Sequence, residues 1–240
     1  MTKVGVSGAA GRMGTLACAA IEEAEGLELA ARYSPGRGFD DPGVMAGCDV
    51  ILELTRPDVV MANAALWRGL DAHCVIGTSG FDEARIEELR EIWGEGPPNC
   101  LVVPNFSLGA TLLLRLAEEA GPYFRAAEVV EMHHDQKADA PSGTALAAAA
   151  RLAPHGTRAT ESTESIAGAR GAGMGEVRVH SVRLPGVLAR HEVLLGNPGE
   201  VLTIRHDTLD RSAFIPGILL ALSGVAGLPG GVTVGLEAVL

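Results

Sequence analysis

Residues 4–14 read VGVSGAAGRMG and decide the fold class of this 240-residue chain. An apolar strand over residues 3–7 runs into glycines at positions 8, 11 and 14, and a helix pattern over residues 14–24 follows. In such a segment Gly8 allows the tight turn, Gly11 lets the backbone approach a diphosphate, and Gly14 lets the helix pack on the strand. The helix N-terminus then faces the negative charge. The segment predicts a dinucleotide site; an ordinary turn in a chain with 31 glycines is the alternative.

Alternating strands and helices continue from this turn through the first hundred residues. Strand patterns cover residues 27–32, 49–54, 72–76 and 100–103, and helix patterns cover residues 59–69 and 82–93. Strands separated by helices imply a parallel sheet with right-handed crossovers. We therefore predict an α/β fold whose N-terminal domain is a Rossmann-like parallel sheet.

The pattern changes after residue 105. Helices are predicted over residues 108–120 and 143–152, strands over 128–133, 177–184, 188–195 and 200–206, a long loop over 154–175, and a final apolar helix over 214–225. Turn signals such as Pro185-Gly186 separate the later strands, which is typical of an antiparallel or mixed sheet. We predict that residues 1–106 plus 214–240 form the dinucleotide-binding domain, and that residues 107–213 form an inserted α+β domain with a mixed sheet.

Composition argues against several classes of protein. The net charge is −11 and no basic patch is visible, so we expect no nucleic-acid partner. No apolar run reaches the ~18 residues of a membrane span, and the N-terminus lacks a signal-peptide pattern, so we expect a cytoplasmic protein without membrane contact. The four cysteines form no C-x-x-C pair, so we predict neither a metal site nor a disulfide framework.

The end of the second predicted strand bears on the choice of cofactor. An acid at this place binds the adenosine ribose when NAD is preferred, but residues 31–34 read ARYS. Arg32 or Arg37 could instead meet a 2′-phosphate; alternatively, both are solvated loop residues. We predict that NADPH is used at least as well as NADH.

Residues 131–145, EMHHDQKADAPSGTA, carry the densest set of reactive side chains. Lys137 is one of only two lysines, against seventeen arginines. Ser142 is a plausible N-cap, so the amides of Gly143 and Thr144 could bind a carboxylate, and the histidines and Lys137 could protonate a substrate as hydride arrives. A zinc site is the weaker alternative, because adjacent histidines point to opposite sides of a strand.

These segments make the chain similar to the 4-hydroxy-tetrahydrodipicolinate reductase (dihydrodipicolinate reductase) family. The family signature E-x-H-H-x-x-K-x-D-A-P-S-G-T-A matches throughout residues 131–145. Further matches at residues 55–57, 77–80, 104–109, 180–186 and 204–214 spread over nearly the whole chain. The long signature is highly specific, whereas the glycine turn alone would not be.

The resemblance implies reduction of a cyclic, imine-type dicarboxylate to tetrahydrodipicolinate in diaminopimelate and lysine biosynthesis, with hydride from NADPH or NADH. It makes His133 the general acid/base, Lys137 a proton donor, and His134, Gly143 and Thr144 substrate-binding residues. It also implies a cytoplasmic homotetramer joined through the sheets of the 107–213 domain, which would bind the substrate. With Arg32 added from the second strand, the expected cofactor-binding residues are Gly8, Ala9, Ala10, Gly11, Arg12, Met13, Gly77, Thr78, Ser79, Pro104, Asn105, Phe106 and Ser107.

The chain departs from the family pattern in three places. Glu53 replaces an aspartate, which we interpret as a tolerated change at a strand end, and Ser79 replaces a threonine but keeps a hydroxyl group. The segment between the second and third predicted strands, residues 34–48, is short. This could delete an element and leave the adenine side of the cofactor site more open.

Three other interpretations compete with this one. Another small two-domain NAD(P)-dependent dehydrogenase acting on an amino-acid-derived substrate would share the glycine turn. A dinucleotide-binding sensor without catalysis would not need the histidines and Lys137. A structural oligomeric module would not explain the glycine turn.

Overall fold

A computed structural model describes residues 1–155, 160 and 162–240, which divide into two units: Met1–Leu108 with Phe214–Leu240, and Gly109–Ala213. The α-helices are α1 Arg12–Glu23, α2 Val60–Gly69, α3 Glu83–Trp93, α4 Leu108–Ala120, α5 Gly143–Leu152 and α6 Ile215–Gly224. The strands are β1 Thr2–Ser7, β2 Leu27–Tyr33, β3 Val50–Glu53, β4 His73–Ile76, β5 Cys100–Val102, β6 Ala126–His133, β7 Ala172–Met174, β8 Val177–Arg183, β9 Ala189–Asn197, β10 Glu200–Thr208 and β11 Val232–Val234.

The first unit is built on a six-stranded sheet in the order β11-β5-β4-β3-β1-β2. All its strand pairs are parallel, which confirms the predicted Rossmann-like sheet. Neighbouring strand residues face opposite sides. Leu52 packs in an apolar cluster with residues of α1 and α6, whereas Ile51 packs in a second cluster with residues of α2 and α3. Helices therefore cover the sheet on both faces.

Two short strands were missing from the sequence prediction. β11 extends the parallel sheet beside β5, and β7 lies within the segment predicted as one long loop over residues 154–175. Each has only three residues, too few to show a period. Part of that predicted loop, residues 156–159 and 161, lies outside the described residues. The short segment 34–48 contains a 3-10 helix, Pro42–Met45, whose Met45 is fully buried.

The second unit holds a five-stranded mixed sheet in the order β10-β9-β6-β8-β7. β6 is parallel to β8 and antiparallel to β9. The buried positions of β6 alternate along the strand, and their character changes from apolar Ala127 and Val129 to polar Glu131 and His133. The apolar half packs with α4 and α5 in one core.

The polar half of this face continues across the neighbouring strands. Glu131 lies opposite Ser181 of β8 and His191 of β9, and His191 lies opposite His206 of β10. This end of the face therefore gathers titratable side chains beside the start of α5. Within the described ranges, every helix falls short of the length and apolarity that crossing a membrane requires.

Candidate active site

The glycine turn after β1 has the geometry that its sequence predicts. Gly8 adopts a positive φ of 84°, and its N–H donates to the carbonyl of Tyr33 at 2.8 Å. A Cβ at Gly14 would lie 2.1 Å from the Gly8 carbonyl oxygen, so only glycine lets α1 start this close to the strand. The turn thus brings backbone and a helix N-terminus together where a diphosphate could bind.

A cavity of ≈ 790 Å³ opens beside this turn. Its described lining comprises Gly8, Ala10, Gly11, Arg12, Tyr33, Ser34, Pro35, Arg37, Leu54, Thr55, Arg56, Val59 and Asn63. Three of these residues are arginines and none carries a carboxylate. The cavity therefore suits a large ligand with phosphate groups, such as a dinucleotide.

The structure brings only part of the predicted turn residues to this cavity. Gly8, Ala10, Gly11 and Arg12 line it, whereas Ala9 is buried and belongs to the core. Met13 packs against that same core.

Arg32 also lies away from the cavity lining. Its guanidinium group pairs with Glu22 of α1 at 2.5 Å, and that contact points it to the helix. Arg37, the other candidate for a 2′-phosphate, does line the cavity.

The two other predicted cofactor segments follow β4 and β5 at the carboxyl edge of the sheet. The Gly77 N–H donates to the Glu53 carbonyl at 2.9 Å, and Thr78 is buried beside it. A Cβ at Gly77 would lie 2.3 Å from the Phe106 ring, so Gly77 lets that ring pack on the backbone. Residues 77–79 and 104–107 thus adjoin the edge at which ligands bind in sheets of this type.

Glu53 has a larger role than a tolerated strand-end change. Its carboxylate is fully buried and accepts hydrogen bonds from Trp67 Nε1 at 2.8 Å, Asn63 Nδ2 at 3.2 Å and the Thr55 N–H at 3.0 Å. The Thr55 hydroxyl also donates to it. Glu53 therefore ties Thr55 to Asn63 and Trp67 of α2, and both Thr55 and Asn63 line the cavity. Only its place at a strand end hinted at this in the sequence.

In the second unit, Glu131 is the centre of a buried polar cluster. Its side chain is 0% exposed, and Arg183 donates to both carboxylate oxygens at 3.0 Å. His133 Nδ1 lies 2.5 Å from Oε2, and the Ser142 N–H donates to Oε1 at 3.3 Å. Burial favours a raised pKa for Glu131, but the hydrogen bonds from Arg183, Ser181 and His133 hold its pKa below the usual value. Glu131 is therefore an anion at neutral pH.

The contact with Glu131 decides how His133 carries its proton. A carboxylate can only accept, so the proton of neutral His133 resides on Nδ1, and Nε2 is the nitrogen left for another partner. Burial lowers the pKa of His133; Glu131 opposes that shift, and the cations Lys137 and Arg183 add to it. The net result is a His133 pKa below the ordinary histidine value.

His191 completes the cluster on the β9 side. Its ring stands edge-on to the His133 ring, with centroids 5.2 Å apart, and its Nε2 lies 3.0 Å from Ser142 Oγ. Burial and the neighbouring His133 lower the pKa of His191 to about 4, so it is neutral in the physiological range. Sequence reasoning missed His191, because only the strand register places it beside His133.

The start of α5 lies at this cluster. Ser142 caps the helix by accepting from the Ala145 N–H at 3.3 Å, as the sequence predicts. Gly143 is exposed at the first helical position and Thr144 follows it. N–H groups of the first helical turn have no acceptor within the helix and favour an anion.

Lys137 lies in the loop that joins β6 to α5. Its Nζ donates to both carboxylate oxygens of Asp139 at 2.8 Å, and this contact lowers the pKa of Asp139. The Lys137 N–H donates to the carbonyl of His134, which directly follows β6. His133, Lys137 and the start of α5 thus belong to one short connection. Among the described residues, no group of three metal-ligating side chains is placed to hold an ion.

The parallel sheet, the glycine turn and the buried acid–base cluster define a Rossmann-type, pyridine-nucleotide-dependent oxidoreductase. Two family models, described as the N-terminus and the C-terminus of dihydrodipicolinate reductase, match residues 2–106 and 109–240. The chain therefore belongs to the dihydrodipicolinate reductase family, whose members are NAD(P)H-dependent reductases of diaminopimelate and lysine biosynthesis.

Individual proteins agree with this assignment. A 4-hydroxy-tetrahydrodipicolinate reductase of Cutibacterium acnes is 47% identical over 247 residues, covering 100% of this chain and 99% of that protein. One from Nocardia farcinica is 46% identical over 243 residues, covering 98% and 97%. A dipicolinate-bound dihydrodipicolinate reductase from Paenisporosarcina sp. TG-14 is 32% identical, with a TM-score of 0.87 and full coverage of both chains. The family and the fold predicted from the sequence are thereby confirmed.

Proposed function

We propose that this chain reduces 4-hydroxy-tetrahydrodipicolinate to tetrahydrodipicolinate with a reduced nicotinamide cofactor. The observation that carries the proposal is the buried Glu131–His133 pair beside the start of α5. It places a proton-carrying group next to a site for a carboxylate, which is what reduction of a carboxylate-bearing imine requires. The curated relatives named above carry the same activity in their names.

Proton transfer falls to His133 and Lys137. A bound reduced nicotinamide would supply the hydride; for each hydride the substrate takes up one proton, and its 4-hydroxyl group leaves as water. We assign that proton to His133 Nε2, the ring nitrogen that Glu131 leaves available. Lys137, 23% exposed and held by Asp139, is the second proton donor.

Substrate binding falls to the connection between β6 and α5. Gly143 and Thr144 supply first-turn N–H groups, the Thr144 hydroxyl adds a donor, and His134 lies at the start of the same connection. These donors suit a carboxylate. Dipicolinate, which the Paenisporosarcina enzyme binds, is a planar dicarboxylate and fits this chemistry.

We assign cofactor binding to the first unit. We expect NADPH to be used at least as well as NADH. The close approach of backbone at Gly8, Gly11 and Gly14 fits a diphosphate, since side chains there would collide with the turn. Arg37 on the cavity wall, with no acid among the described lining residues, suits a 2′-phosphate better than a bare ribose. Residues 77–79 and 104–107 extend this site.

We further propose a cytoplasmic homotetramer whose subunits meet through the second unit. The face of the mixed sheet opposite α5 carries Val130, Met132 and Leu194, which are only partly buried, and Val201, which is 70% exposed. Such apolar sheet surface favours a partner of the same kind. Sedimentation equilibrium, with a tetramer mass expected, tests this.

Titration calorimetry tests the assignment of the substrate class. We expect dipicolinate to bind the enzyme in the presence of NADPH, and pyridine-2-carboxylate, which lacks one carboxylate, to bind at least tenfold more weakly. Equal affinity for the two compounds would contradict a dicarboxylate site.

A further inference from the structure

We propose that Glu131 is a positioning residue for the reduction. Its carboxylate holds the His133 ring in one orientation and one tautomer, and also binds the N–H of Ser142, the N-cap of α5. The catalytic meaning of this proposal rests on the proposed function. Its first observable, the protonation of the His133 ring nitrogens, does not.

The hydrogen bonds to Glu131 leave its carboxylate one orientation. Oε1 accepts from Arg183 Nη2 at 3.0 Å and from the Ser142 N–H at 3.3 Å. Oε2 accepts from Arg183 Nη1 at 3.0 Å and lies 2.5 Å from His133 Nδ1. A rotation that released His133 would also break the bidentate pair, and a buried ion without partners is costly. The position of the His133 ring is thus set by contacts from β8 and from the α5 cap.

The same cluster sets the charge around His133. Glu131 faces it from its own strand, Arg183 from β8, Lys137 from the following connection, and the neutral ring of His191 from β9. Removing the Glu131 charge takes away the anion that contacts His133 and leaves the cations Arg183 and Lys137, which lowers the pKa of His133. Removing the Arg183 charge leaves Glu131 unopposed, which raises that pKa. The two variants therefore have opposite expected effects.

Nitrogen NMR of the imidazole rings tests the tautomer without any turnover. Spectra of the full-length protein labelled with ¹⁵N-histidine would be compared with those of His133→Gln to assign the His133 signals. We expect neutral His133 to carry its proton on Nδ1 in the wild type and to lose this preference in Glu131→Gln. An unchanged tautomer in Glu131→Gln would overturn the proposal.

The pH dependence of kcat/KM tests the consequence for catalysis. Glu131→Gln should lower the apparent pKa of the kcat/KM profile. It should also reduce kcat by between ~10-fold and ~10⁴-fold, as for other carboxylates that orient a catalytic histidine, with a smaller change in KM. Arg183→Gln should raise the apparent pKa. Shifts of the same sign in both variants, or an unmoved profile with only lower thermal stability, would refute the positioning role.

Glu128→Gln is the matched control. Glu128 lies on the opposite face of β6 and also contacts an arginine and a histidine, Arg170 and His180. Its replacement should leave the pH profile and the His133 tautomer unchanged; a shift equal to that of Glu131→Gln would contradict the proposal.

A double variant keeps the proposal testable if Glu131→Gln does not fold. Glu131→Gln with Arg183→Gln removes both buried charges together, which avoids an unpaired ion. Its His133 should lack the Nδ1–H preference, and retention of that preference would overturn the proposal. If the wild type does not reduce the substrate, the proposed function fails, while the NMR result still decides the role of Glu131.

Discussion

Lys137 Nζ lies 2.8 Å from each carboxylate oxygen of Asp139, two residues further along the connection between β6 and α5. The side chain of Lys137 is 23% exposed and that of Asp139 is 60% exposed, so the pair remains accessible to a ligand. An anionic substrate can therefore replace or join Asp139 as the partner of the ammonium group.

Lys137→Ala should cut kcat far more than it changes the Kd of the cofactor, because Lys137 belongs to the second unit, whereas the proposed cofactor site lies in the first. Steady-state kinetics and a fluorescence titration with NADPH measure the two quantities. Lys3→Ala, which removes the other lysine at an exposed position of β1, is the control and should leave both unchanged. Unaltered turnover in Lys137→Ala would remove Lys137 from the mechanism.

His133→Gln should lower kcat by about two to four powers of ten, the usual contribution of a general acid or base. Glutamine keeps a hydrogen-bonding side chain of similar reach but cannot carry the proton. Loss of less than tenfold, at unchanged KM, would mean that another group delivers the proton.

The activity of the wild type should decline with rising pH. An acid at His133 must be protonated, so kcat/KM is high below its pKa and is lost as the pH rises through it. Because the pKa of His133 in the free protein lies below the ordinary value of about 6.5, the decline of kcat/KM should be centred below pH 6.5. The carboxylates of bound substrate raise that pKa, so kcat should decline at higher pH. Profiles of kcat/KM that stay flat from pH 5 to 8 would contradict this.

Thr144→Val should mainly raise the KM for the substrate, by about 10–150-fold for one lost hydrogen bond to a charged group. Thr144→Ser keeps the hydroxyl and should restore most of the affinity. An effect confined to the KM for the cofactor would show that the start of α5 is not the carboxylate site.

Arg37→Ala should weaken NADPH use by at least tenfold and leave NADH use within about twofold, since only NADPH carries the 2′-phosphate. Arg32→Ala is the matched control, because Arg32 pairs with Glu22 away from the cavity lining. Comparing kcat/KM for both cofactors in both variants checks this. A larger loss of NADPH use in Arg32→Ala than in Arg37→Ala would reverse the assignment.

The sequence predicted correctly those features that depend on residues close together in the chain. The glycine turn, the Ser142 cap and both ends of α4 and α5 follow from spacing and capping. The three-residue strands β7 and β11 could not be predicted, because pairing with neighbours alone defines them.

Contacts between distant residues limited what the sequence could predict about the site. Glu131 stands in the signature, but its partner Arg183 is 52 residues away, and His191 meets it only through the register of β9. The choice between Arg32 and Arg37 depended on the contact of Arg32 with Glu22 of α1, away from the cavity lining. Neither point is encoded in a local pattern.

A coupled assay measures the proposed reduction itself. The substrate would be generated in situ from pyruvate and aspartate semialdehyde, and oxidation of NADPH and of NADH would be followed separately at 340 nm. We expect substrate-dependent oxidation of NADPH at least as efficient as that of NADH, and we expect both rates to fall by about two to four powers of ten in His133→Gln. No substrate-dependent oxidation of either cofactor by the wild type would contradict the proposed function.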